Sequence, residues 1–367
     1  MKRYLTLTFI IFLLFTGCRD TTPIKVGFVG ALTGDFSSVG ISSRNAIMLA
    51  LETANNDGGI NGKKIELIVR DDKSDPELTY AMTEELINEG ISVIFGPTTS
   101  SAALSIQPLF GKEGIVFLSS TVSTMELDGI DDNLIRFISV KTRKDKITKL
   151  LLDYNGVEEV VVVNDLTNNK FAISYIDEIQ PAYESRGGMI KKVITYVPQE
   201  DSAYGDTAEM IMNENPQGII FLGDERNTAL LCQQLKKKGY TGLLFTNAMT
   251  NSLVDHGGSA VDGLMMLSTF DSDSVDEEYL EVSRRYEERF SMKMNFAVKR
   301  AYEAAMTLID ALHRDPSMKN MKKTLLEKNT YPGLQGEIHL DQYGDVDRAM
   351  FLFILEDGKI KRMDEVL

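Results

Sequence analysis

Ile24-Lys25-Val26-Gly27-Phe28-Val29-Gly30, an amphipathic stretch at 42–56, the turn Gly58-Gly59-Ile60-Asn61-Gly62, then Lys64-Ile65-Glu66-Leu67-Ile68-Val69-Arg70: this run decides the fold. Strand, helix and strand in that order call for a parallel, doubly wound α/β sheet. The alternation continues downstream. Asp75-Pro76-Glu77 starts a helix, with a capping carboxylate, a proline whose missing N–H costs nothing, and an acid in the first turn. Gly90 ends that helix, 92–95 is a third strand, 102–112 a helix and 115–118 a fourth strand.

The pattern then begins again. Val160-Val161-Val162-Val163 is the composition of a strand buried on both faces. Helices at 171–186, 206–213 and 227–238 alternate with strands at 189–195, 218–222 and 243–246. Further helices follow near 276–290, 296–314 and 318–328, and short strands around 336–340 and 350–355. Two like sheets, followed by chain that can return to either, predict two lobes joined by several crossings, with a boundary near 137–142.

Upstream, Lys2 and Arg3 precede an apolar run at 5–15 and then Thr16-Gly17-Cys18, the layout of a secretory signal peptide. The run is too short to span a membrane, which takes about 20 apolar residues. Gly17-Cys18 resembles a bacterial lipobox, with Phe15 where leucine is usual, so Cys18 is the expected lipidation site and 1–17 the segment removed. Acylation would tether a soluble protein to the membrane. Losing Lys2 and Arg3 moves the net charge from −15 to −17 over 350 residues, enough chain for two cored domains. So acidic a chain repels a phosphate backbone, and no nucleic-acid partner is expected. Cys232 is then the only cysteine besides Cys18, which excludes an intramolecular disulfide; its amphipathic setting reads as core.

Ligands in open α/β sheets bind at the carboxyl ends of strands. Four polar loops fall there: 96–101, 119–124, 164–169 and 223–226. The first two are rich in hydroxyls, and the Ser100 loop opens a helix whose free amides favour an anion without a basic side chain. Ser and Thr that merely cap helices are the alternative reading. No P-loop, G-x-G-x-x-G, H-E-x-x-H or G-x-S-x-G occurs, so no cofactor, metal or catalytic residue is expected. Asp71-Asp72 reads as a solvated or capping pair.

The residues 24–34, Asn55-Asn56-Asp57-Gly58-Gly59-Ile60-Asn61-Gly62, Asp71-Asp72 with Asp75-Pro76, Phe95-Gly96-Pro97, 165–168 and Gly333-Leu334-Gln335-Gly336 with Asp341 and Gly344-Asp345 resemble the leucine/isoleucine/valine-binding protein family, along the whole mature chain. That family comprises type I periplasmic binding proteins of ABC importers. The resemblance implies two doubly wound parallel-sheet lobes and a three-crossing hinge, with 22–140 plus 271–333 in lobe one and 141–270 plus 334–367 in lobe two. It implies a monomer outside the cytoplasm that delivers a small amino acid, organic acid or amide to an ABC permease. The ligand carboxylate would meet Ser100, Ser101 and their amides, assisted by Ser123, with the backbone at Thr121 receiving an amino group and Phe171 closing from lobe two. Three positions depart from the family pattern: Ala248 replaces the acid that meets the ligand ammonium, Val39 an aromatic, and Glu225 an aromatic from lobe two. Glu225 either substitutes for that acid or is a solvated loop residue. A sensory subunit of a signalling receptor and an enzyme on the same scaffold are the other functions such a chain could serve.

Overall fold

The four valines split as the period of a strand demands: Val160 and Val162 enter one core, Val161 and Val163 another. All four are buried, each contributing roughly 1.5–3 kcal/mol of transfer free energy. They lie in β6 (Glu159–Asn164), inside a seven-stranded sheet. The computed structural model describes residues 22–138, 143–198, 203–247, 249, 251–346, 348 and 350–363. The expected leader 1–17, Cys18 and Ala248 lie outside the described residues.

The first sheet has the order β2-β1-β3-β4-β5, all parallel, with β1 Ile24–Gly30, β2 Ile65–Asp71, β3 Val93–Phe95, β4 Val116–Ser119 and β5 Leu134–Arg136. Helices α1 (Ser37–Asn56), α2 (Pro76–Asn88) and the short α3 (Ser100–Ser105) and α4 (Gln107–Phe110) connect its strands. The helix expected at 102–112 is in fact two pieces. Pro108, in the first turn of α4, has no N–H to give to an upstream carbonyl. β5 was not anticipated; at its end lies Arg136, buried and bonded to Asp345 (2.6 Å), Asp128 (3.0 Å) and the Thr124 carbonyl (2.8 Å).

The second sheet runs β14-β13-β10-β9-β8-β6-β7. β7 (Met189–Thr195), β6, β8 (Gly218–Leu222), β9 (Leu243–Thr246) and β10 (Leu264–Ser268) are parallel, while β13 (Phe351–Glu356) and β14 (Lys359–Arg362) add an antiparallel edge. α5 (Arg143–Lys149), α6 (Asn169–Glu184), α7 (Ala203–Glu214), α8 (Glu225–Lys237) and α9 (Asn251–Gly257) belong to this half. The chain then returns, because α10 (Glu277–Phe290), α11 (Phe296–Arg314) and α12 (Met321–Lys328) pack on the first sheet through Tyr286, Val298, Leu308 and Leu325. After the small antiparallel pair β11 (Thr330–Tyr331) and β12 (Ile338–His339) it crosses a third time before β13. This is the doubly wound, three-crossing architecture the resemblance implies, with the antiparallel edge in addition. Leu334, Ile338, Leu340 and Val346 sit in the first core, so the third crossing falls after Val346 rather than at 334.

Candidate functional site

A cavity of about 110 Å³ lies between the two halves, at the carboxyl ends of both parallel sheets. That is small beside the roughly 300–1,000 Å³ pockets of drug-sized ligands. Larger surface grooves exist, one of about 750 Å³ beside Glu126, Lys144 and Asp177, but exposed charges line it.

Two glycines let the first half form its wall. A Cβ on Gly96 would lie 2.0 Å from the Val29 carbonyl oxygen, and its φ of +109° is in any case one that L side chains avoid. A Cβ on Gly40 would lie 1.6 Å from the Ala31 oxygen. That backbone-to-backbone approach lets α1 begin at Ser37, five residues before the expected start, and brings Phe36 and Val39 to the cavity. Phe36, three residues before Val39, thus places an aromatic ring in the cavity lining.

The hydroxyls of the loops 96–101 and 119–124 divide sharply. Thr98 accepts from the Ala31 N–H (3.3 Å), Thr99 caps α3 through the Ala102 N–H (3.2 Å), and Thr124 accepts from the Glu126 N–H (3.3 Å). Ser119 and Thr121 donate to the carbonyls of Pro97 (2.8 Å) and Thr98 (2.7 Å), tying the two loops together, and Ser120 pairs with Ser43 (3.3 Å). Ser101 does not line the cavity: its N–H and hydroxyl both donate to Asn168 Oδ1, at 3.1 and 2.8 Å, from one half to the other. Only Ser100 and Ser123 keep hydroxyls with no partner among the described residues, and both line the cavity. Thr121 lines it as well.

The second half contributes Phe171, its ring 5.4 Å from that of Tyr175 and tilted by 57° to it, one helical turn along α6. Tyr175 lines the cavity too and brings the hydroxyl that Phe171 lacks; i, i+4 spacing was its signal. Glu225 is only 3 % exposed, in the first turn of α8, and accepts from Ser38 of the first half at 3.4 Å, so the solvated-loop reading does not hold. Asp224 caps that helix through the N–H groups of Arg226 (2.9 Å) and Asn227 (3.3 Å). Burial pushes Asp224 up to about 6; its backbone bonds oppose the rise and Asp165 adds to it.

The expectation that amides and hydroxyls alone face an anion fails, because two arginines line the cavity. Arg143 is paired with buried Glu178 and stacks 4.3 Å above the Tyr175 ring. Arg300, one turn beyond cavity-lining Phe296 on α11, donates Nη2 to Thr269 Oγ1 at 2.9 Å. Neither arginine lies in a strand-end loop, where the sequence places the site residues. The Ser100 helix is six residues long, so little macrodipole stands behind that serine. Cys232 is buried, its thiol pushed up to about 12 by burial, as a core residue should be. Among the described residues no acidic, histidine or cysteine cluster could hold a metal.

The chain aligns along nearly its whole length with proteins built this way. It is 21 % identical over 335 residues to a leucine-, isoleucine-, valine-, threonine- and alanine-binding protein of Pseudomonas aeruginosa, covering 89 % of this chain and 88 % of that one. A leucine-binding protein of Thermotoga maritima superposes with a TM-score of 0.83 at 20 % identity, over 93 % of this chain and 97 % of the other. A solute-binding protein of an ABC transporter from Rhodopseudomonas palustris, solved with benzoate, gives 0.80 at 16 % identity, over 93 % and 95 %. A family model for periplasmic binding proteins matches residues 23–359. With that match and a hinge of three crossings, the chain belongs to the type I periplasmic binding proteins.

Proposed function

We propose that this protein captures a small carboxylate-bearing solute outside the cytoplasm and hands it to an ABC permease, without chemistry of its own. In this reading 1–17 is removed, Cys18 carries the lipid anchor, and the monomer meets its ligand with the first half before the second closes over it. The observation that carries the proposal is the pair of hydroxyls with no partner among the described residues, Ser100 and Ser123, on one wall of an interlobe cavity where Thr98 and Thr99 already accept backbone N–H groups and Thr121 donates to a carbonyl. Phe36, Phe171, Tyr175 and Phe296 would enclose the body of the ligand, and buried Glu225 suits an amino group on it. The relatives that bind branched-chain amino acids and benzoate support a compact acid of that kind.

The test begins with a thermal-shift screen of amino acids and organic acids, because a tight ligand raises the melting temperature by mass action. Calorimetry with the best ligand should then find Ser100→Ala weakened about 10- to 100-fold, the worth of one charge-assisted hydrogen bond. Unchanged affinity would remove Ser100 from the site and the proposal with it.

A further inference from the structure

Arg300 is a buried cation with no ion-pair partner among the described residues. It is 5 % exposed and lines the cavity; Nη2 is bonded to Thr269, Nε is buried without a partner, and Nη1 makes no hydrogen bond to any described residue. No described carboxylate lies within ion-pair distance of it. The nearby acids are already occupied: Glu303 takes Arg348 (2.7 Å), Lys299 (3.9 Å) and the Leu334 N–H (2.9 Å), while Asp271 takes Arg362 (2.6 Å). Among the described residues around this hinge, therefore, the cations Lys299, Arg300, Arg348 and Arg362 outnumber the carboxylates Glu303 and Asp271. Burial, and after it the charge of Arg348, pull the Arg300 guanidinium down to about 9 against the opposing charge of Glu303, and it is still charged at neutral pH. Stacking on Phe296, 5.1 Å away, offsets only part of the desolvation. Arg143, the other arginine of the cavity, is spoken for by Glu178.

We infer that the ligand carries two anionic groups, one at Ser100 and Ser123 and a second received by Arg300 at the hinge, which makes it a small dicarboxylate. The inference rests on the carboxylate reading of Ser100 and Ser123 and adds a second point of attachment to it. A dicarboxylate supplies the counter-charge that the hinge lacks, and its second carboxylate would pull the crossing segment at Thr269 and helix α11 into the closed arrangement. Succinate and glutarate represent this chemistry without an amine; L-aspartate and L-glutamate represent it with one, for which Glu225 is placed on the other wall.

Calorimetry on the purified protein should compare each of these four with its half-amide: succinamate, glutaramate, L-asparagine and L-glutamine. At least one dicarboxylate should bind about 10- to 100-fold tighter than its half-amide, because the amide keeps the shape and loses the charge. In Arg300→Met that preference should shrink to within about twofold, with a urea melt confirming that the variant is folded. If Arg300→Met does not fold, the wild-type comparison decides alone. Half-amides that bind as well as the diacids, or diacids that do not bind at all, overturn the inference. If leucine or benzoate binds in the same assay and is weakened by Ser100→Ala, the reading under Proposed function survives that failure; if no carboxylate of either set binds, both fall.

Discussion

Asp71 and Asp72 are adjacent in sequence and opposite in behaviour. Asp71 is the knot of the loop after β1: it accepts from the N–H groups of Leu32 (2.8 Å), Thr33 (3.3 Å) and Lys73 (2.9 Å) and from the Thr33 hydroxyl (2.8 Å). What burial it has would raise its pKa, but those bonds hold it below the ordinary value. Asp72 is 1 % exposed with two partners, the Ser74 N–H (3.0 Å) and the Thr79 hydroxyl (3.1 Å), and burial pushes it up to about 6. A carboxyl raised in the folded state binds its proton more tightly there than in the unfolded chain. Its contribution to stability therefore falls as pH climbs from about 4 to 6. Asp224, also raised to about 6, has the same sign. Urea unfolding of Asp72→Asn across pH 4 to 7 should give a flatter stability profile than the wild type; superimposable slopes would show that Asp72 titrates as an ordinary acid. The sequence reads the two acids as a solvated or capping pair, and the buried Asp72 departs from the solvated reading, because what separates the two is burial and partners up to 39 residues away.

At the scale of elements, what local chemistry dictates is what the sequence discloses. Asp75 accepts from the N–H groups of Glu77 (2.8 Å) and Leu78 (3.3 Å), with Pro76 in the first turn of α2, as the tripeptide alone predicts. Asp75→Ala should cost about 1 kcal/mol, within the roughly 0.5–2 kcal/mol measured for lost caps, and leave ligand affinity alone because α2 does not line the cavity. A shift in the urea midpoint reads the first, calorimetry the second. β5 and β10 escaped notice for opposite reasons. The three residues of β5 include an arginine, tolerable in a sheet only because Asp345, 209 residues on, meets it. β10 is apolar up to its last residue, Ser268, and shows no alternation to separate a strand from generic core.

The molecule as a whole is held shut by a few polar contacts between its halves. Asn168, at the start of α6, accepts both the N–H and the hydroxyl of Ser101, and the Met125 N–H donates to Ser174 at 2.7 Å. Two hydrogen bonds of roughly 0.5–1.5 kcal/mol each are of the size that sets an open–closed equilibrium. Asn168→Ala should therefore move that equilibrium about tenfold toward the open form, since about 1.4 kcal/mol is a factor of ten. Small-angle scattering of the ligand-free protein should show a larger radius of gyration, and ligand affinity should weaken in step. A radius of gyration equal to that of the wild type would mean the latch carries no weight. The same contact explains why Ser101, next to Ser100 and equally plausible in sequence, faces the other lobe instead of the ligand.

The sequence by itself settled the alternation of strand and helix, the repetition of that alternation in two units, and the helix start at Asp75. Each is encoded within a dozen residues by periodicity and capping, so no knowledge of the rest of the chain is needed. Tertiary structure alone decided which loop hydroxyls stay unengaged, that Glu225 is buried, and that Arg143 and Arg300 reach the cavity. These depend on groups brought together by the hinge crossings, such as Glu225 with Ser38 across 187 positions, and on which hydrogen bonds are used up elsewhere. A donor's freedom is a property of everything packed around it.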